Sequence, residues 1–397
     1  MFVLMNYGAE WRQHRRAFHQ VMNSDVVSDW QPVQLKATRN FLRSLLGSPD
    51  QLASHLQFSF AATVMRVVYG IELRERNDEY FKMVKRLSDI GEDITVPGRY
   101  LVDAVPILRF LPSWFPGGHF KRYAARARHD ILSIRDQLFQ SAKTAIERGS
   151  IKDCIITRLW KGEGDDAMEE VCRSLGATTY TAGADTVHAS AQAFFLAMAR
   201  HPEVQRKAQS ELDAIIGPDR LPEFSDLKSL PYISAIMKEL LRWHIITPIG
   251  VPHRTVADDE YNGYLIPGGT IVLVNVWGIS REPTVYPDPE NFIPERFLDS
   301  NGKLDARGKD PSDYAFGFGR RICPGQYFAE ASLTIMIASV LSTFNIRPPT
   351  DEYGASIKVE HEVTMDRIVS HARLYKYSIS PRSARAEQLI QEESGNA

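Results

Sequence analysis

The segment Phe316–Gly325, FGFGRRICPG, constrains this chain more than any other stretch, because it places one cysteine in a glycine-bounded turn just ahead of a long apolar run. Gly319 and Gly325 let the backbone turn tightly around Cys323. The run that follows, GQYFAEASLTIMIASVLSTF, is expected to form an amphipathic helix whose N-terminus points at the sulfur. Backbone N–H groups and the positive end of a helix dipole both favour a thiolate at that place. Phe316 is positioned to cover the sulfur, and Arg321 to reach an anionic group with a charge-assisted hydrogen bond. A shielded thiolate in such a turn suits the iron of a haem, so the motif reads as a haem-thiolate site with Cys323 on the metal.

The other two cysteines, Cys154 and Cys172, form no Cys-x-x-Cys pair and read as small buried hydrophobes. Three cysteines in 397 residues fit a reducing compartment without a disulfide framework. A formal charge of -2 lacks the basic excess of a nucleic-acid binder.

Around Cys323 the chain resembles the cytochrome P450 family, and the resemblance runs from Trp11 to Arg382 with the motif order of eukaryotic, fungal membrane-bound members. It implies a mainly α fold: a helical haem domain with a small β-rich part. It also implies haem b as cofactor and a monooxygenase activity on a lipophilic small molecule, in secondary metabolism or xenobiotic oxidation. No Gly-x-Gly-x-x-Gly follows a strand, so electrons are expected from NADPH through a separate cytochrome P450 reductase, with cytochrome b5 a further candidate partner. No nucleic-acid partner is expected.

A second motif lies in MEEVCRSLGATTYTAGADTVHASAQAFFLAMARH, which has helical periodicity but carries Ala182-Gly183-Ala184-Asp185-Thr186 at its middle. Glycine and threonine weaken a helix there. Gly183 permits a flat ligand to approach the backbone, Thr186 can bond the carbonyl of the preceding turn or release it, and Asp185 is a proton source. The resemblance implies that Asp185 and Thr186 are the catalytic acid–alcohol pair and that Ala182 lies against the cofactor. It further implies that Trp11, Arg15, His253 and Arg321 contact the haem propionates, with Arg254 the weaker candidate beside His253.

Glu-x-x-Arg occurs several times. Glu170/Arg173 and Glu203/Arg206 sit on charged helical faces and read as solvated pairs. Glu239 and Arg242 interrupt an apolar helix, so burial is expected, and a buried pair needs further partners. Arg296, in Pro294-Glu295-Arg296-Phe297, supplies one, and the resemblance implies that this network holds the loop beneath the haem.

One domain is expected over residues 1–382, with 383–397 a polar, frayed tail. The β-rich part is expected around residues 249–275 and 356–380, with turns at Asn262-Gly263 and Pro267-Gly268-Gly269 and a strand-forming run Thr270–Val274. No apolar stretch reaches the roughly 18 to 20 residues that span a bilayer. Members of the family place an anchor, several helices and the first strands ahead of the tryptophan matching Trp11, so the chain is expected to be N-terminally incomplete. The resemblance puts an anchored full-length form on the cytosolic face of the endoplasmic reticulum membrane, and a form without an anchor in the cytoplasm. The stretch YLVDAVPILRFLPSWFPGGHF suits either a loop dipping into a membrane interface or one packed on the core. The uncharged segment Ile245–Val251 and the loop near Ile368-Val369-Ser370 are expected beside the substrate, and favour a lipophilic one. A haem-thiolate isomerase or dehydratase, and an inactive truncated remnant, stay open as alternatives.

Overall fold

A computed structural model describes residues 2–74, 78–94, 96, 98–162, 164–305, 307–364 and 367–392. Fourteen α-helices are formed among them. The first seven are α1 (Ala9–Met22), α2 (Gln31–Gly47), α3 (Leu52–Tyr69), α4 (Glu79–Ile94), α5 (Leu101–Ala104), α6 (His119–Glu147) and α7 (Ile155–Leu159). The rest are α8 (Asp166–Arg200), α9 (Pro202–Ile215), α10 (Pro231–Trp243), α11 (Val276–Ser280), α12 (Ser312–Ala315), α13 (Gln326–Thr343) and α14 (Ala384–Glu392). The fold is mainly α, as the sequence implies.

Helix α8 is the axis of the molecule. Its start is set by Asp165, whose carboxylate accepts the Met168 N–H, and by Asp166 and Glu169 in the first turn, which complement the helix dipole. Its end comes at His201, where Pro202 cannot extend the same hydrogen-bond ladder and instead opens α9. Between those points the helix is unbroken through Ala182–Thr186, despite the glycine and threonines there. Tertiary burial supplies the reason: Val171, Leu175 and Tyr180 belong to one hydrophobic core with α3 and α6, and Val187 through Ala199 to a second with α9, α10 and α13. Its N-terminal half thus joins one core and its C-terminal half the other.

Helix α13 differs from expectation. It begins just after Cys323, with Gly325 as its N-cap residue, but it is buried nearly all round rather than along one stripe. Ser332, Leu333, Ile335 through Leu341 and Thr343 are all inside, because α2, α8, α9 and α10 surround it. Polar groups along it find partners: Gln34 of α2 donates to the Phe328 carbonyl and to Ser332 Oγ, and Thr343 Oγ1 donates to the Ser339 carbonyl. Deleting the Ile337 or Leu341 side chain to alanine would cost about 2–5 kcal/mol.

The strands are short: β1 (His253–Arg254), β2 (Asp259–Tyr261), β3 (Tyr264–Ile266), β4 (Ile271–Val272), β5 (Phe344–Arg347), β6 (Val363–Thr364), β7 (His371–Ala372) and β8 (Ser378–Pro381). They pair antiparallel as β1–β4, β2–β3, β5–β8 and β6–β7. The Asn262-Gly263 turn forms as expected, both residues at positive φ, and closes the β2–β3 hairpin. The run Thr270–Val274 yields only Ile271–Val272 as strand, since it has one pairing partner of two residues. Strand β5 was not expected; it continues directly from α13 and pairs Ile346 with Ile379.

Residues 383–397 were expected to fray. Ala384–Glu392 instead form α14, because Leu389 and Ile390 dock into the core beside α2. The remaining tail positions, 393–397, lie outside the described residues.

Candidate active site

The Cys323 turn is built from backbone geometry that only glycine adopts at low cost. Gly317 and Gly319 take φ of 82° and 57°, which folds the chain back so that the Cys323 N–H donates to the Phe316 carbonyl at 2.8 Å. Burial pushes the Cys323 thiol up, against the Gly325 N–H that bonds the sulfur and the positive charge of Arg15. Cys154 and Cys172 are fully enclosed, as expected, and burial raises Cys172 to about 12. Cys323 alone of the three retains some exposure. A Cβ added at Gly317, Gly319 or Gly325 would meet no atom within 4 Å, so the turn borders open space. The Phe316 side chain packs against the hydrophobic core, half-buried.

Trp11, Arg15 and Arg321 gather at this turn. Arg15 donates to the Ile322 carbonyl at 2.7 Å, Arg321 to the Met5 carbonyl at 2.8 Å, and the Arg321 guanidinium stacks 4.5 Å from the Trp11 ring. Two cations are thus held on main-chain oxygens beside the sulfur-bearing loop. Trp11 and Arg15 also line an open recess with Arg12, Arg16 and His19. His253 lies on β1, exposed and in register with Val272. Among the described residues no hydrogen bond or ring contact joins it to the other three.

On α8, Thr186 Oγ1 donates to the Ala182 carbonyl at 2.8 Å, the bond expected of it. Gly183 is not there for close packing: a Cβ on it would only touch Val64, at 3.9 Å. Asp185 Oδ1 lies 3.4 Å from His371 Nε2 on β7. Gln192, two turns further along α8, contacts both His371 Nδ1 and His188 Nε2, at 3.3 and 2.9 Å. Sequence reasoning did not find His188, Gln192 or His371. His188 and Gln192 follow Asp185 at helical spacing and were open to discovery, whereas nothing local marks His371. The Ser370 N–H donates to the Ile246 carbonyl at 2.8 Å, so the two segments expected beside a substrate do meet.

Glu239 and Arg242 are wholly buried, with a bidentate pair of 2.7 Å bonds. Arg242 also donates to the carbonyls of Ser280, Pro289 and Asn291, while Glu239 accepts the Ile293 N–H and the Arg296 guanidinium. Every strong hydrogen-bonding direction of the pair is used, which is what makes a buried ion pair tolerable. Of the two pairs read as solvated, Glu170 lies 3.8 Å from Arg173, whose shorter contact is to Glu169. Glu203 faces His201.

The family described as cytochrome P450 matches residues 1–373. The chain is 41% identical over 393 residues to a cytochrome P450 monooxygenase of Coprinopsis cinerea named COX2, covering 98% of this chain and 74% of that one. It is 40% identical over 390 residues to the cytochrome P450 monooxygenase claR of Ampulloclitocybe clavipes, covering 98% and 72%. It is 38% identical over 393 residues to the cytochrome P450 monooxygenase ple1 of Rhodocybe pseudopiperita, covering 98% and 75%.

Proposed function

The chain belongs to the cytochrome P450 family and is a haem-dependent monooxygenase, and from that premise we propose that it oxygenates a lipophilic small molecule of secondary or xenobiotic metabolism, with Cys323 as the residue whose thiolate would hold the haem iron. The observation that carries the ligand assignment is the half-buried cysteine in a glycine turn. Its sulfur receives the Gly325 N–H, and open space lies on the glycine side. The residues present fit a haem: a lone accessible thiol, two guanidiniums at Arg15 and Arg321 for its propionates, and a helix turn at Gly183 that leaves room for a flat ring. Bound there, haem supplies dioxygen activation, to which thiolate ligation contributes electron density.

The protein's own part is to hold and move groups. Arg15 beside Cys323 favours the thiolate that burial opposes. Trp11 holds the Arg321 guanidinium by stacking and so restrains a propionate partner. His253 would serve as the fourth propionate contact, and Ala182 would lie against the bound haem. Thr186 exchanges its bond to the Ala182 carbonyl for a bond to incoming water or oxygen, and Asp185 delivers protons through it. The uncharged segment Ile245–Val251 and residues 368–370 line the substrate side, which favours apolar guests.

Partners and location follow from the surface. Arg12, Arg16 and His19 form an exposed basic strip beside the Cys323 turn, suited to an acidic reductase that passes electrons from NADPH. Leu101, Ile107, Phe110 and Trp114 are each at least 70% exposed, so this stretch is not packed on the core. A patch of that kind suits a membrane interface, and no helix among the described residues is long and apolar enough to cross a bilayer.

Reduced protein under carbon monoxide tests the ligand: Cys323→Ser should lose the thiolate-type absorption, and retention of the wild-type spectrum would refute Cys323. Incubation with NADPH, a reductase, isotopically labelled O2 and lipophilic substrates tests the reaction. Label in the product supports oxygenation, while unlabelled product formed without reductase points to an isomerase or dehydratase.

A further inference from the structure

Asp185 and His188 lie one turn apart on α8, and His371 reaches them from β7. Among the described residues these three form the one trio in which a carboxylate oxygen and two imidazole nitrogens all lie within 4.8 Å of one another. All three are half-buried, so their side chains are held rather than free in solvent.

From this geometry we propose that Asp185, His188 and His371 form a binding site for a single zinc-type divalent ion, joining α8 to the β6–β7 hairpin. The leg from Asp185 Oδ1 to His371 Nε2 is 3.4 Å. That is the edge of a tetrahedron whose centre lies roughly 2.0–2.1 Å from each corner, the bond length of zinc to imidazole and carboxylate. Two imidazoles and one carboxylate leave a fourth position for water.

The surroundings prepare the ligands. Gln192 Oε1 lies 3.3 Å from His371 Nδ1 and accepts its N–H, the kind of outer contact that fixes the tautomer of a metal-binding histidine. His371 Nε2 then carries its lone pair toward Asp185; it is buried and has no hydrogen-bond partner. Two lone-pair-bearing atoms facing each other at this distance repel, and a cation between them turns that repulsion into coordination. His188 sits one turn beyond Asp185 on the same face of α8, so both side chains can point toward His371. Binding costs one contact, since His188 Nε2 releases the Gln192 N–H it accepts at 2.9 Å. Glu92, ion-paired with Arg367, is the next charged group toward Asp185, so that pair adds little net charge at the site.

A bound ion would occupy the Asp185 carboxylate and pin the hairpin that carries Ser370 and His371. The consequence for turnover rests on the proton-delivery role proposed for Asp185, whereas the binding itself does not.

The test titrates zinc chloride into the purified haem-loaded protein by calorimetry, with zinc-edge X-ray absorption to count imidazole ligands. One saturable ion per chain with two imidazoles is expected. His371→Ala and His188→Ala should each weaken binding at least about tenfold, since losing a ligand costs no less than losing an outer partner. His129→Ala, an exposed histidine on α6, should bind as wild type. Should an alanine variant fail to fold, His371→Cys, which keeps a zinc-binding atom, should still bind. No saturable binding, or equal affinity in the wild type and both folded alanine variants, overturns the site. If zinc binds with the expected ligands but leaves product formed per electron pair unchanged, the site stands and Asp185 is removed from proton delivery.

Discussion

The Glu239 knot and the middle turn of α8 each set a carboxylate against a nitrogen-bearing side chain, Arg242 one turn along α10 in the first and His371 of β7 in the second, yet they are opposite in kind. Glu239 and Arg242 are fully enclosed, and every charge-bearing atom has a partner, main-chain carbonyls among those of Arg242. Asp185 is half-buried, its contact to His371 is long, and the facing nitrogen has no hydrogen bond. A saturated buried network can only be lost, so it belongs to folding. An unsaturated, partly open one can take up a proton, a water or an ion without unfolding anything, so it belongs to chemistry.

That contrast is broken most directly at Glu239. Glu239→Ala leaves Arg242 charged and buried without its carboxylate, which should cost about 3–5 kcal/mol and most of the folded, haem-loaded yield. Glu203→Ala, with its exposed contact to His201, should stay within about 0.5 kcal/mol. Equal melting temperatures for the two variants would erase the distinction.

Acid should weaken the closed region next. His244 is enclosed between α10 and Ser370, and burial holds its pKa down from 6.5 to about 4; its neighbour His361, stacked 3.8 Å over Trp243, is held at about 3. Both are neutral when folded and gain a proton when unfolded. The sign follows: stability present above pH 6.5 falls as pH drops toward 4, by up to about 3 kcal/mol for each histidine. Denaturant midpoints from pH 7 to pH 4 measure it, and His244→Asn should flatten the slope. An unchanged slope would show that neither histidine is held neutral.

In the open region the effect should be on reaction, with stability spared. Asp185→Asn should lower product formation on the order of 100-fold, the lower end of what a positioned acid supplies. Thr186→Ala should divert reducing equivalents to peroxide, because its hydroxyl no longer alternates between the Ala182 carbonyl and water. Both variants should melt within about 1 kcal/mol of wild type. A large loss of stability with unchanged coupling would move this turn into the same class as Glu239.

The smallest effect is expected at the exposed apolar stretch. Trp114, 78% exposed, contributes little to folding, so Trp114→Ala should leave the melting temperature unchanged. It should weaken partition onto lipid vesicles by about 1 kcal/mol, roughly fivefold. Partition equal to wild type would remove the membrane reading of this loop.

Much of this was legible in the residues themselves. The glycines of the Cys323 turn and the Asn262-Gly263 hairpin announce themselves because turn chemistry is local: a few consecutive residues decide φ, ψ and the first hydrogen bonds. The apolar interruption at Glu239 and Arg242 likewise pointed to burial. Local reading misjudged α13, whose sequence resembles a one-sided helix until α2, α8, α9 and α10 close over it. It misjudged α14, which looks polar in isolation and is stabilised by docking Leu389 and Ile390.

By itself, then, the sequence determined where the chain turns, which cysteine sits in a glycine-bounded turn and which helix carries Asp185 and Thr186, since each depends on residues adjacent in the chain. Only the tertiary structure brought His371 to Asp185 and Arg15 to the Ile322 carbonyl. Such contacts arise from packing across hundreds of residues, where no local spacing records which side chains will share one small volume.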